Sequence, residues 1–135
     1  MYSTKPVLLI EDDQIDQRAV QRVFRQLKIC NELIIKENGE EALKYLSSYG
    51  KPCLIILDLN MPRMNGMEFL DALKKNRVYK NIPVIVFTTS NGAVEKRNAY
   101  DRGAVGYIVK PPDYKQFIEI FKAIDNYWTI SEGAI

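Results

Sequence analysis

Several short apolar runs of this chain end on residues able to do chemistry. Asp12 and Asp13 follow one run, and Asp58 follows Cys53-Leu54-Ile55-Ile56-Leu57. Thr88 closes Val84 to Phe87, and Lys110 closes Val105 to Val109. If these runs are strands of one parallel sheet, their ends meet at the carboxyl edge, where open α/β sheets hold ligands. Carboxylates converging to about 5 Å repel by roughly 3 kcal/mol per pair at an effective dielectric of about 20. Summed over Asp12, Asp13 and Asp58, that rivals the whole stability of a domain, about 5–15 kcal/mol. A cation or a bound proton has to relieve such a cluster. Lys110 brings one charge, and a divalent ion such as Mg²⁺ suits one or two carboxylates, waters and a phosphate oxygen.

The elements needed to gather these residues are present. Pro6 to Ile10, Leu33 to Lys36, Cys53 to Leu57, Val84 to Phe87 and Val105 to Val109 read as strands. Helical patterns lie between them at Asp13 to Ile29, Glu40 to Ser48, Gly66 to Lys75 and Ala93 to Arg102, with Asp113 to Tyr127 last. Continuous apolar strands alternating with helices predict a parallel sheet covered on both faces. One domain over 1–135 is expected, with its core at about 5–128, a short tail at 129–135 and no output domain.

Each chemical residue also has an ordinary reading. Asp13 precedes a helix and fits an N-cap, with Asp16 in the first turn. Asp58 precedes a loop holding Pro62 and Gly66 and fits a turn, Thr88 fits a strand end, and Lys110 before Pro111-Pro112 fits an exposed corner. Four strand ends carrying the needed types together weigh more than any one of them.

Composition narrows the class. The formal charge of +2 argues for neither nucleic acid nor a membrane surface. No apolar run approaches the roughly 18 residues that span a bilayer, and no leader pattern precedes the first strand. The isolated thiols Cys30 and Cys53 have no metal-ligand spacing, and a reduced, cytoplasmic setting is expected. The chain has no histidine. Imidazole metal sites, Ser-His-Asp and Cys-His catalysis and a phosphohistidine on this chain are therefore excluded.

Helix faces suggest partner surfaces. Ile15, Ala19, Val23 and Leu27 form the expected core stripe of the first helix, with Arg18, Arg22 and Arg25 on the opposite side, as a solvated face or as a docking surface for an acidic partner. In the last helix Tyr114, Phe117, Ile118, Phe121 and Trp128 form the core stripe, and Ile120, Ile124 and Tyr127 extend it along a flank. The fourth helix has few apolar residues (Val94, Ala99, Tyr100) and follows Ser90-Asn91-Gly92, which marks it as a weakly anchored, movable element.

The set Asp12-Asp13, Asp58 with Met61-Pro62 and Gly66, Thr88, and Lys110-Pro111 resembles the receiver domain of bacterial response regulators, over residues 5 to about 128. That resemblance implies a flavodoxin-like, doubly wound five-stranded parallel sheet of order 2-1-3-4-5 with five helices. It implies Asp58 as the phosphoacceptor, and Mg²⁺ (or Mn²⁺) held by Asp13, Asp58 and the Asn60 backbone carbonyl, with Asp12 acting through water. Lys110 and the Thr88 hydroxyl would contact the phosphate, and Tyr107 would be a switch aromatic whose rotamer follows Thr88. A cis Lys110–Pro111 peptide is common at this corner of the family. Thr89, where many members have Ala or Gly, and Pro112, where a larger apolar residue is common, depart from the pattern.

The resemblance also implies partners: a sensor histidine kinase or a histidine phosphotransfer domain, docking on the Arg18-Arg22-Arg25 side. The output side is expected at Tyr107, Ile120, Ile124 and Tyr127, for a downstream protein or a second copy, leaving a monomer or a homodimer through helix 4, strand 5 and helix 5. The chain is not expected to be an enzyme beyond its own phosphorylation and dephosphorylation. A stand-alone regulator is the expectation, with a phosphorelay carrier or a constitutive interaction module as alternatives. The closing segment from Phe117 to Trp128 is more loosely similar to small regulators paired with phytochrome-type kinases. A haloacid-dehalogenase-type phosphohydrolase is disfavoured because its second acid would fall on Asn60. Flavin binding is disfavoured because no Gly- or hydroxyl-rich loop follows the first strand.

Overall fold

The computed structural model describes residues 4–130, with backbone only at Ile130. Five parallel strands lie in the order β2-β1-β3-β4-β5. They are β1 (Val7–Ile10), β2 (Leu33–Lys36), β3 (Leu54–Leu57), β4 (Val84–Thr88) and β5 (Gly106–Val109). Helices α1 (Gln14–Gln26), α2 (Gly39–Tyr49), α3 (Gly66–Lys75), α4 (Ala93–Asp101) and α5 (Tyr114–Ile130) connect and close them. Thr129 and Ile130 thus continue the last helix, whereas the rest of the expected tail, 131–135, lies outside the described residues. None of the described helices is long and apolar enough to cross a membrane.

The period-2 alternation of the strands divides the core. Val7, Leu9, Leu54, Ile56, Ile85 and Phe87 face α1 and α5, where Val20, Val23, Phe24, Phe117, Phe121 and Ile124 meet them. Leu8, Ile10, Ile55, Leu57 and Val84 face α2 and α3, against Ala42, Leu46, Phe69, Leu70 and Leu73. A smaller cluster of Leu59, Val86, Ala99 and Ala104 underlies α4. Both faces of β1, β3 and β4 are covered, which is why those strands carry no polar residue before Thr88.

Two expectations about α1 change. Ile15 is 74% exposed, and the buried positions are Val20, Val23 and Phe24, with Ala19 and Leu27 packed beside them. The apolar stripe is centred one residue later than the spacing from Ile15 indicates, because the helix begins at the sheet edge and its first turn projects past the core. Arg18, Arg22 and Arg25 are exposed, with the Arg22 guanidinium 4.2 Å from the Tyr114 ring centre, linking α1 to α5. Helix α4 is weakly anchored as expected: among its residues only Ala99 is buried, and Gly92 gives it no side-chain cap.

The loop after β3 depends on one glycine. Gly66 opens α3 and donates its N–H to the Leu59 carbonyl at 3.1 Å. A Cβ there would lie 2.6 Å from the Asp58 carbonyl oxygen and 2.7 Å from Leu59 Cα, both backbone atoms that cannot step aside. Asn65 and Glu68 cap the same helix reciprocally, so α3 is pinned against the segment that carries Asp58. Gly66→Ala is expected to destabilise the fold by about 2 kcal/mol, as overpacking does, read as a lowered urea midpoint.

Candidate functional site

Strand register builds the site. Ile10 pairs with Leu57, so the next residues, Glu11 and Asp58, lie abreast at the carboxyl end of the sheet. Backbone bonds carry the ladder one step further: Asp58 N–H donates to the Ile10 carbonyl at 3.0 Å, and Glu11 N–H to the Lys36 carbonyl at 2.9 Å. Lys110 N–H donates to the Thr88 carbonyl at 2.7 Å. Glu11 follows the alternation of Val7 and Leu9, Asp58 that of Leu54 and Ile56, and Lys110 that of Ile108, so all three side chains turn toward α1.

There the Lys110 ammonium meets three carboxylates. It donates to Glu11 Oε1 in a very close contact, to Asp16 Oδ2 at 2.7 Å and to Asp58 Oδ2 at 3.4 Å. The side chains of Lys110, Glu11 and Asp58 are 6%, 2% and 9% exposed, whereas that of Asp16 is 23% exposed. Carboxylate oxygens of Glu11, Asp12 and Asp58 lie within 4.8 Å of one another. At that spacing each ionised pair repels by about 3 kcal/mol at an effective dielectric of about 20.

This corrects the expected acid pair. The residues facing Asp58 are Glu11 and Asp12, one position earlier than Asp12 and Asp13. Asp13 instead caps α1, its Oδ1 accepting from Ile15 N–H at 2.8 Å and Asp16 N–H at 3.3 Å. The chain leaves the sheet line after Glu11, so the third acid reaches the helix start rather than the cluster. Asp13 followed by Asp16 was the sequence signal of that cap. Asp16, read only as a first-turn acid, turns out to be a direct partner of Lys110. The Lys110–Pro111 bond is also not cis: the described residues contain no cis peptide bond, and an X–Pro bond prefers trans by about 0.5–1 kcal/mol.

The charge imbalance shows in the protonation of the site. Burial, above all, pushes the Glu11 carboxyl up from 4.5 to about 8, with the Asp58 charge adding to it and the Lys110 hydrogen bond opposing it. Burial pulls the Lys110 ammonium down, but hydrogen bonds to Asp16 and Glu11 and the charges of Glu11 and Asp58 outweigh it and hold the group above its ordinary value. The two upward shifts differ in origin: burial leads for Glu11, with the Asp58 charge adding to it, whereas for Lys110 the acidic neighbours overcome burial.

The switch residues sit on the opposite face. Thr88 is fully buried, and its hydroxyl oxygen accepts from Ser90 N–H at 3.3 Å. Tyr107 packs with the cluster beneath α4 and donates its hydroxyl to the Ser90 carbonyl at 2.8 Å. The Ser90 hydroxyl in turn donates to Glu95 of α4 in a very close contact. The loop after β4 is therefore tied both to β5 and to α4. Asn60 lies in the loop after β3, its N–H 3.4 Å from Asp58 Oδ1.

The expected output residues divide between two faces. Ile120, Ile124 and Tyr127 line a groove of about 450 Å³ between β5 and α5, together with Ile85, Ile108 and Trp128. Tyr107 faces α4 instead, since it alternates with Ile108 along β5. Ile124 belongs to the core at 7% exposure, while Tyr127 is 51% exposed.

Folding raises Glu11 from 4.5 to about 8, so the native protein holds a proton there that the unfolded chain releases. In metal-free buffer this contribution to stability is fully present below about 4.5 and is lost as pH rises through about 8. Glu11→Gln is expected to flatten that decline, measured as urea midpoints between pH 5 and pH 9.

The fold and this cluster coincide with known proteins. The family model described as the response regulator receiver domain matches residues 7–122. Response regulator Rcp1 of Synechocystis sp. is 35% identical over 130 residues, covering 92% of this chain and 88% of that protein. The crystal structure of the phosphorylated cyanobacterial phytochrome response regulator RcpA is similar with a TM-score of 0.88 at 31% identity, over 96% of this chain and 97% of that one. The Mn²⁺-bound form of Rcp1 is similar at 0.86 and 34% identity, over 97% and 99%. A strand order, an acid at the end of β3 and a lysine at the end of β5 thus agree with sequence and structural likeness over nearly the whole chain, which belongs to the response regulator receiver domain family.

Proposed function

We propose that this receiver domain takes a phosphoryl group onto Asp58 from a phosphohistidine on a partner protein, in a reaction that needs Mg²⁺ or Mn²⁺, and that the modification alters its protein-binding surface. The observation that carries this is the placing of the Asp58 carboxylate. It stands at the carboxyl end of β3, grouped with the Lys110 ammonium and the acids Glu11 and Asp12. A relative crystallised in phosphorylated form and another crystallised with Mn²⁺ support the same reading.

The donor set suits a hard divalent ion: carboxylate oxygens from Glu11, Asp12 and Asp58 within 4.8 Å, with no soft ligand among them. Asp12 and Asp58 would hold it directly with the Asn60 backbone carbonyl, and Glu11, already engaged by Lys110, would act through water. The ion would supply neutralisation of the phosphate oxygens. The expected assignment of Asp13 as a direct ligand is replaced here by Asp12, because Asp13 spends its carboxylate on the α1 cap.

In the transfer, an Asp58 carboxylate oxygen forms a bond to phosphorus as the bond from phosphorus to the donor's ring nitrogen breaks, leaving the imidazole to its own protein. Asp58 becomes a mixed anhydride, which water later cleaves to carboxylate and inorganic phosphate. Lys110 offsets charge on the phosphoryl oxygens, and the Thr88 hydroxyl turns from Ser90 N–H to hydrogen-bond one of them. That movement slackens the loop that Tyr107 and Glu95 hold, biasing α4, the helix with least burial, between two arrangements.

Since the chain has no histidine, the donor is external. The exposed Ile15 beside Arg18, Arg22 and Arg25, on the helix that begins at the site, supports a kinase or phosphotransfer domain docking on α1. The groove between β5 and α5, with Tyr107 on the α4 side, supports output through the opposite end of the sheet.

Incubation with a small phosphodonor and Mg²⁺ is expected to add one phosphoryl group by intact-mass measurement. Asp58→Asn should abolish it, and phosphorylation at another residue of the wild type would overturn the assignment. For the metal, Asp12→Asn is expected to weaken Mn²⁺ binding at least about tenfold, while Asp13→Asn, which keeps a good cap, should change it little. The reverse order would restore Asp13 as the ligand.

A further inference from the structure

We propose that Asp16 is a positioning residue that competes with the phosphoryl group on Asp58 for the Lys110 ammonium. This rests on the phosphoacceptor reading above and adds a residue to it. Asp16 lies in the first turn of α1, but its carboxylate is turned away from the helix end, whose N–H groups are served by Asp13. It lies 2.7 Å from Lys110 Nζ, whereas Asp58 lies at 3.4 Å. The ammonium is thus seated toward α1 and away from the phosphoacceptor.

An ammonium has three protons to donate, and Glu11, Asp16 and Asp58 claim them all. A phosphoryl oxygen on Asp58 therefore gains Lys110 only when one existing contact yields. Glu11 cannot yield cheaply, because its side chain is 2% exposed, so no water can replace the ammonium and the carboxyl oxygen would be left buried without its partner. Asp16 is 23% exposed, so water can replace the ammonium. The 3.4 Å contact to Asp58 passes to the phosphoryl group on that residue, and drawing the ammonium closer to it surrenders the Asp16 contact, whose strength opposes capture of Lys110.

The position of Asp16 gives this contact a second consequence. It lies on the inward side of α1, whose opposite side carries the exposed Arg18, Arg22 and Arg25 assigned to the partner, so a shift of that helix by a docked protein moves Asp16 relative to Lys110. Lysine release is in this way tied to the surface that receives the donor.

Titration with beryllofluoride in saturating Mg²⁺, followed by the amide NMR signals of Thr88 and Tyr107, tests the competition. Asp16→Asn should bind the mimic about fivefold more tightly than the wild type, the size of a partly exposed ion pair. Asp113→Asn, which removes the same charge from the neighbouring helix start where Asp113 accepts from Gln116 N–H, should stay within about twofold. In metal-free protein, the Lys110 side-chain NMR order should fall in Asp16→Asn and hold in Asp113→Asn. Equal tightening by both variants, unchanged or weaker binding by Asp16→Asn, or an unchanged Lys110 order would overturn the competition. Failure of the wild type to bind the mimic at all would instead overturn the phosphoacceptor reading.

Discussion

One buried ammonium set among more carboxylates than it can neutralise organises this molecule. Lys110 contacts Glu11, Asp16 and Asp58, and Asp12 adds a further acid at the rim. Such an arrangement is poor as a stabilising device, since burying charge costs about as much as pairing returns. Its use lies in the residual demand for positive charge. Burial, with the Asp58 charge adding to it, raises the affinity of Glu11 for a proton, and the excess of acid prepares the site for a divalent ion, while the single lysine stays available to whichever anion binds it best.

The rest of the fold serves to hold that imbalance in place. Two apolar layers cover β1, β3 and β4 on both faces, so the strand ends cannot slide without turning every core side chain over. Gly66 lets α3 approach the Asp58 backbone more closely than a side chain permits, which stiffens the segment bearing the nucleophile candidate. Stability is spent unevenly. Helix α4 contributes one buried residue and is held by Ser90 to Glu95 and Tyr107 to Ser90, both of which run through the loop next to Thr88. The rigid side carries the acids and the loose side carries the readout.

Most of the architecture was legible in the residues, because continuous apolar strands and helical spacing are strong local signals. Element ends fell within a few residues, and the strand order followed from the family resemblance. Apart from the Lys110–Pro111 peptide, which is not cis, the misses were questions of where a side chain points. Ile15 fits a helical stripe by spacing yet projects past the core. Asp13 looks like half of an acid pair yet caps a helix, and Asp16 looks like a dipole acid yet holds Lys110. Tyr107 and Ile120 lie on opposite faces because β5 alternates, although both belong to the same end of the chain.

By itself the sequence determined the chemical inventory: acids, a hydroxyl and a lysine at strand ends, and no imidazole to serve as donor. It also determined the layers, since apolar periodicity is a property of neighbouring residues. Only the tertiary structure decided which acids form the cluster and which anions share Lys110. Those choices depend on register between strands distant in sequence and on where β1 gives way to α1, a shift of one residue that changes the face on which each carboxylate lies.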